Sequence, residues 1–196
     1  GQWERVDGIV KDMQSQGVKP NANTFNQLIN ALGKGGQWER ADGFYKDMQS
    51  QGVKPRCDTF SALISALGKG GQWERVDGIF KDMQSQGVKP NVSTFSALIS
   101  ALGKGGQWER VDGIFKDMQF QGVKPNGDTF SALINAFGKA GHWERFDGIF
   151  KDMQSQGVKP NATHFSALIN ALGKGEQWKR VDGIFKDMQS QGVKPN

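Results

Sequence analysis

The sequence predicts an all-α solenoid of stacked helix-turn-helix hairpins, and three observations predict it. A block of 35 residues recurs along the 196-residue chain, with Trp at 3, 38, 73, 108, 143 and 178 and Pro at 20, 55, 90, 125, 160 and 195. Each block holds two stretches whose apolar residues fall at helical spacing, separated by a short glycine turn. A fixed period of this length marks a stacked-repeat architecture, in which each unit buries its apolar face only against a neighbour.

Read in order, residues 1–21 form a partial repeat containing a second helix, and full repeats follow at 22–56, 57–91, 92–126, 127–161 and 162–196. The repetition runs through 1–196 without a compositional break, so the chain reads as one domain. In the first full repeat Phe25, Leu28, Ile29 and Leu32 follow the i, i+3, i+4, i+7 pattern of an amphipathic helix, which Gly35 and Gly36 close. Asn23 and its equivalents Asp58, Ser93, Asp128 and Thr163 all belong to the N-cap set, and Thr24 with Gln27 could form a capping box. Trp38, Ala41, Phe44, Tyr45 and Met48 share one face of the second helix, which stops at Gly52 with Pro55 beyond it.

Gly43 and its counterparts Gly8, Gly78, Gly113, Gly148 and Gly183 stand inside second helices, where glycine costs about 1 kcal/mol relative to alanine. Close approach of a neighbouring helix is the expected compensation. The tryptophans read as anchors between adjacent hairpins. At the C-terminal end Trp178, Val181, Ile184 and Phe185 have no following hairpin, so end-to-end self-association is expected.

The formal charge is +5, built up as roughly one extra Lys per repeat. Stacking would turn those residues into a row, which points weakly to a polyanion along the solenoid. Cys57 is the only cysteine, so no intramolecular disulfide is expected. Neither an 18-residue apolar stretch nor a signal-peptide pattern is present, so no membrane partner is expected. Gly1 begins part-way through a repeat, which reads as a piece of a longer chain.

The segment TF-S-ALI-x-ALGK-x-G-x-W-E-R, followed by F-K-D-M-Q-x-Q-G-V-K-P-N, resembles the pentatricopeptide repeat in its pure 35-residue form. Thr94-Phe95, Leu98-Ile99, the Gly-Lys before the turn, Met118 and Gly122-Val123-Lys124-Pro125 stand at that family's signature positions, and the resemblance spans the chain. It implies a right-handed superhelix that binds single-stranded RNA, one base per repeat. It also implies residence in a mitochondrion or chloroplast and a role in organelle RNA processing.

Carried over residue by residue, the resemblance gives base-reading residues Asn26, Ser61, Ser96, Ser131 and Ser166 after the aromatic. Their partners after the closing Pro are Arg56, Asn91, Asn126, Asn161 and Asn196. Ser with Asn looks like an adenine-reading pair in that family, so the expected target is a short run of adenines; Asn26 with Arg56 fits no pair, and its base is open. Phosphate-facing lysines are implied at Lys34, Lys69, Lys104, Lys139 and Lys174. At the base-flanking position, where the family often has an apolar wedge, this chain carries Asn23, Asp58, Ser93, Asp128 and Thr163. Polar residues there weaken the RNA reading.

Catalytic and metal chemistry has no sequence support. His142 and His164 stand alone, outside any H-E-x-x-H or C-x-x-C pattern, and the Gly-Lys lacks the layout of a phosphate loop. The expectation is a non-enzyme without cofactor or metal. A protein-interaction scaffold or a designed consensus array is the alternative function, since the same solenoid offers a concave surface.

Overall fold

The computed structural model describes residues 8, 12, 13 and 15–194, and among them it contains helices and turns but no strand. In chain order the helices are α1 (Ala22–Lys34), α2 (Trp38–Ser50), α3 (Cys57–Lys69), α4 (Trp73–Ser85), α5 (Val92–Lys104), α6 (Trp108–Phe120), α7 (Gly127–Ala140), α8 (Arg145–Ser155), α9 (Ala162–Lys174) and α10 (Trp178–Ser190). Odd-numbered helices are the first of each hairpin and even-numbered helices the second. The result is an all-α helical-repeat solenoid. Trp3, Pro195 and Asn196 lie outside the described residues, as does most of the partial repeat.

The chain packs as two compact units, Gly1–Ala97 and Leu98–Asn196. In the N-terminal unit Phe25, Ile29 and Leu32 of α1 and Phe60, Ile64 and Leu67 of α3 are fully buried, as the helical spacing requires. The second helix of one repeat meets the first helix of the next through rings placed edge to face. Tyr45 and Phe60 have centroids 5.8 Å apart, and Phe80 and Phe95 6.4 Å. Such pairs add about 0.5–1.5 kcal/mol beyond the apolar area they bury.

The C-terminal unit is built on the same rule. Its core gathers Leu102, Val111, Phe130, Ile134, Phe146, Met153 and Leu172, and Phe115 stands edge-on to Phe130 at 6.0 Å. Second helices are linked in both units by an Arg and an Asp 33 residues apart in sequence. Arg75 donates to Asp42 at 2.8 and 2.9 Å, Arg180 to Asp147 at 3.0 Å, and Arg145 to Asp112.

The interior glycines of the second helices do not mediate close approach, contrary to the expectation from sequence. A Cβ built at Gly8, Gly43, Gly113, Gly148 or Gly183 meets nothing within 4 Å, and one at Gly78 meets only the end of Arg75 at 3.8 Å. The tight packing lies on the first helices instead. A Cβ on Gly33 would stand 2.8 Å from that of Ala66, one on Gly103 2.4 Å from that of Ala136, and one on Gly138 2.6 Å from that of Ala171.

Tryptophans act as anchors by lying on a glycine that follows the next first helix. A Cβ on Gly70 would fall 2.2 Å from Trp38, and one on Gly175 2.3 Å from Trp143. In the fourth repeat Ala140 occupies this position, and its methyl rules out that ring placement. There α7 runs one residue longer, Gly141 caps it at φ 76°, and Trp108 packs on His142 with centroids 4.0 Å apart. The second helix, α8, begins at Arg145, two residues later than the periodicity predicts.

Candidate functional site

The resemblance implies a site at the N-terminal ends of the first helices and at the residue linking each repeat to the next. The link backbone is extended: φ and ψ are −105° and 179° at Asn21, −109° and 171° at Arg56, −118° and −176° at Asn126, and −127° and 178° at Asn161. Each preceding helix has already stopped at a left-handed glycine, with φ 68–72° at Gly52, Gly87, Gly122 and Gly157, and the closing Pro, with its fixed φ and no N–H, keeps the chain from resuming it.

These link residues, and not Asn23 or its equivalents, are the N-caps. Asn21 Oδ1 accepts from the Thr24 N–H at 3.0 Å, Asn91 from Thr94 at 3.0 Å, Asn126 from Thr129 at 3.0 Å and Asn161 from His164 at 3.2 Å. The third residue returns the bond. Thr24, Thr94 and Thr129 Oγ1 accept from the link N–H at 3.4, 3.3 and 3.2 Å, and His164 Nδ1 does so at 3.1 Å. The expected Thr24–Gln27 box is therefore an Asn21–Thr24 box. Asn23, Asp58, Ser93, Asp128 and Thr163 sit two residues further on, in the first turn, and are exposed. Asp58 and Asp128 there complement the positive end of the helix dipole.

Capping sets the polarity of the link side chain. At Asn91 and Asn126 the Oδ1 also lies 3.2 and 3.0 Å from the Thr94 and Thr129 hydroxyls, so both lone pairs are engaged and the Nδ2 donors are what these carboxamides offer outward. The residues after the aromatic complement this. Ser61, half-buried, donates its Oγ–H to the Cys57 carbonyl at 2.9 Å and accepts from Thr94 Oγ1 at 2.9 Å, which leaves it one acceptor lone pair and no donor. Ser96 and Ser131 are half-buried and Ser166 is exposed.

The first full repeat departs from the rule. Arg56 makes no side-chain cap to α3; its Nη2 donates instead to Asn23 Oδ1 at 2.7 Å. Loss of such a cap costs about 1 kcal/mol. Asn26 Oδ1 is the one buried side-chain oxygen or nitrogen without a partner among the described residues.

Lys34, Lys69, Lys104, Lys139 and Lys174 all occupy the last turn of a first helix and are exposed. There they complement the negative helix end. Lys69 also donates to the Gly33 carbonyl at 3.2 Å. Two perturbed acidities lie on the second helix α2. Burial pushes the Asp42 carboxyl up, yet hydrogen bonds from Arg75 and Lys46 outweigh it and hold it below its ordinary value. Burial, aided by the charge of Asp82, pushes Tyr45 up to about 12.

His142 bonds Glu144 at 2.9 Å, and the buried His164 places Nε2 2.9 Å from the Gly127 carbonyl. Among the described residues no group of three His, Cys, Asp or Glu could hold a metal ion. None of the described helices is long and apolar enough to cross a membrane. The capping role of the link asparagines was missed in the sequence, although their fixed place just before each first helix was the signal.

The pentatricopeptide repeat domain family matches residues 8–70 and 78–140, and the related repeat families match 129–174, 58–88 and 163–193. No curated protein sequence matches the chain. Among solved structures, PPR10 in complex with an 18-nucleotide RNA element superposes with TM-score 0.80 at 23% identity over 100% of this chain. The chain spans 29% of that protein's length. PPR10 from maize matches with TM-score 0.70 at 25% identity, over 99% of this chain and 28% of that one. The PPR domain of Arabidopsis thaliana protein-only RNase P 1, in complex with tRNA, matches with TM-score 0.73 at 17% identity, over 89% of this chain and 92% of that one.

Proposed function

The chain belongs to the pentatricopeptide repeat family, and from that premise we propose that it is a non-catalytic binder of single-stranded RNA that reads one base per repeat and prefers adenine. The observation that carries this reading is the polarity that capping gives the paired side chains. In the N-terminal unit Ser61 keeps one acceptor lone pair and Asn91 its Nδ2 donors, and in the C-terminal unit the cap turns the oxygen of Asn161 toward the α9 backbone in the repeat that carries Ser131. Adenine answers with its exocyclic amino group toward the hydroxyl and a ring nitrogen toward the carboxamide. The preference for adenine itself comes from the family resemblance, as does residence in an organelle.

In the same reading Lys34 and Lys69 of the N-terminal unit, and Lys104, Lys139 and Lys174 of the C-terminal unit, face phosphates. Each neutralised phosphate releases counterions, so affinity falls with salt. Binding of labelled oligo-A, oligo-U, oligo-C and oligo-G at several salt concentrations tests the proposal, with oligo-A expected tightest. Equal binding of all four would leave only the lysines acting. A sharper arm replaces Asn161 by Asp: an aspartate still caps α9 but turns an acceptor outward, so preference at one nucleotide should leave adenine while the helix stays intact.

A second reading, a protein-interaction scaffold, draws on the exposed carboxylates of Asp58 and Asp128, which repel phosphate. It gains if none of the four oligonucleotides binds. Self-association belongs to the proposal as well. Trp178 is 63% and Phe185 40% exposed, so sedimentation should show concentration-dependent assembly that Trp178→Gln weakens.

A further inference from the structure

We infer that His164 makes the repeat 127–161 read either purine, adenine or guanine, whereas the repeat 57–91 rejects guanine; the inference rests on the proposed base-per-repeat reading and deepens it. The difference lies in two hydroxyls. Ser61 donates its proton to the Cys57 carbonyl at 2.9 Å and accepts from Thr94, so it meets a base as an acceptor only. After the repeat 127–161, the third residue of the next first helix is His164, where Thr24, Thr59, Thr94 and Thr129 stand elsewhere. Its Nδ1 accepts from the Asn161 N–H at 3.1 Å and so carries no proton, which puts the proton on Nε2. Nε2–H then donates to the Gly127 carbonyl at 2.9 Å, the counterpart of the carbonyl that Ser61 uses. Gly127 leaves room for the ring: a Cβ there would stand 3.4 Å from His164 Cε1.

With that carbonyl engaged by His164, Ser131 makes no hydrogen bond to any described residue. Asn26 Oδ1 is the one buried and unpartnered side-chain oxygen or nitrogen among the described residues, so the Oγ of half-buried Ser131 is open to solvent. A free hydroxyl rotates to donate or to accept. Adenine and guanine differ at the 6-position, an amino group in one and an oxygen in the other, and both carry the acceptor N7 beside it. The Asn161 cap turns its oxygen inward, which leaves the Nδ2 donors for N7 of either purine. Ser131 accepts from the adenine amino group and donates to the guanine oxygen. At Ser61 the guanine oxygen meets a lone pair, and turning the proton outward forfeits the bond to Cys57. His164 is itself only 1% exposed, so it acts through Ser131 as a positioning residue.

The test uses the full chain and labelled RNAs of five adenines in which each adenine in turn is replaced by guanine. The exchange should weaken binding about tenfold or more at the nucleotide facing Ser61, the scale of one well-made pair of contacts, and about threefold or less at the one facing Ser131. His164→Thr installs the residue of the sibling repeats. It should make the tolerant position reject guanine, while binding of the all-adenine RNA and its salt dependence stay unchanged. Cys57→Gly combined with Thr94→His transplants the arrangement and should open a second tolerant position; it decides alone if circular dichroism shows that His164→Thr does not fold. If neither variant moves the adenine-to-guanine ratio at any position, with oligo-A still bound above oligo-U, the role of His164 is overturned and the adenine reading stands. Oligo-A bound no better than oligo-U overturns both.

Discussion

First and second helices use glycine in opposite ways. On the first helices Gly33, Gly103 and Gly138 stand where a methyl would collide with an alanine of the next first helix. On the second helices Gly43, Gly113, Gly148 and Gly183 face open space. The one set permits contact and the other only weakens its helix. Recurrence at a fixed position in every repeat is therefore no measure of a residue's packing role: identical copies carry neutral or costly residues as faithfully as essential ones.

The largest effect that sharpens this contrast is a gain. Replacing Gly43, Gly113, Gly148 and Gly183 together by Ala should stabilise the chain by about 2–4 kcal/mol, from about 0.5–1 kcal/mol per helix-interior glycine. Urea denaturation followed by circular dichroism measures it, and a loss of stability would break the contrast. On the other side, Gly103→Ala places its methyl 2.4 Å from Ala136 Cβ and 2.9 Å from Ala136 Cα. It should cost about 1–3 kcal/mol through overpacking, read in the same experiment.

The turn between the helices supplies a smaller effect. Gly36, Gly71, Gly106 and Gly141 hold φ between 70° and 76°, whereas the fifth repeat has Glu176 at φ 57°, the one positive-φ residue other than glycine among those described. A side chain in this region costs about 1 kcal/mol, so Glu176→Gly should raise the melting temperature of the chain modestly. An unchanged or lowered melting temperature would show that the turn carries no strain.

The smallest effect concerns the charges that link second helices. The Asp42 carboxyl is held below its ordinary value of 3.8 in the folded protein, so the unfolded state takes up a proton first as pH falls. The stability it contributes is present above about pH 4 and is lost as pH drops through the folded value. Arg75→Met should flatten this acid limb. Arg180→Met should leave it nearly as it is, because the Asp147 side chain is 75% exposed and surface pairs contribute little.

Much of the fold was legible because helical periodicity and turn glycines act locally. Phe25, Ile29 and Leu32, and likewise Ala41, Tyr45 and Met48, are buried where spacing put them. The caps stand two residues before the positions that the sequence pattern suggests. Several residues around each link belong to the capping set, and only the backbone direction reveals which side chain reaches the third N–H. The late start of α8 was hidden as well, since Ala140 in place of Gly matters only through the tryptophan of the preceding repeat. For the site, the positions were legible from the repeat, while their polarity was not, because it depends on which atom of Asn91 or Asn161 the cap consumes.

Period, helix order and the faces that must be buried follow from the chain's own pattern, because a helix of given spacing has one apolar side wherever it packs. Which glycine is indispensable and which buried oxygen goes unpartnered were settled only when one repeat lay against the next. Steric exclusion and hydrogen-bond pairing are properties of neighbours brought together, and a residue's own identity does not contain them.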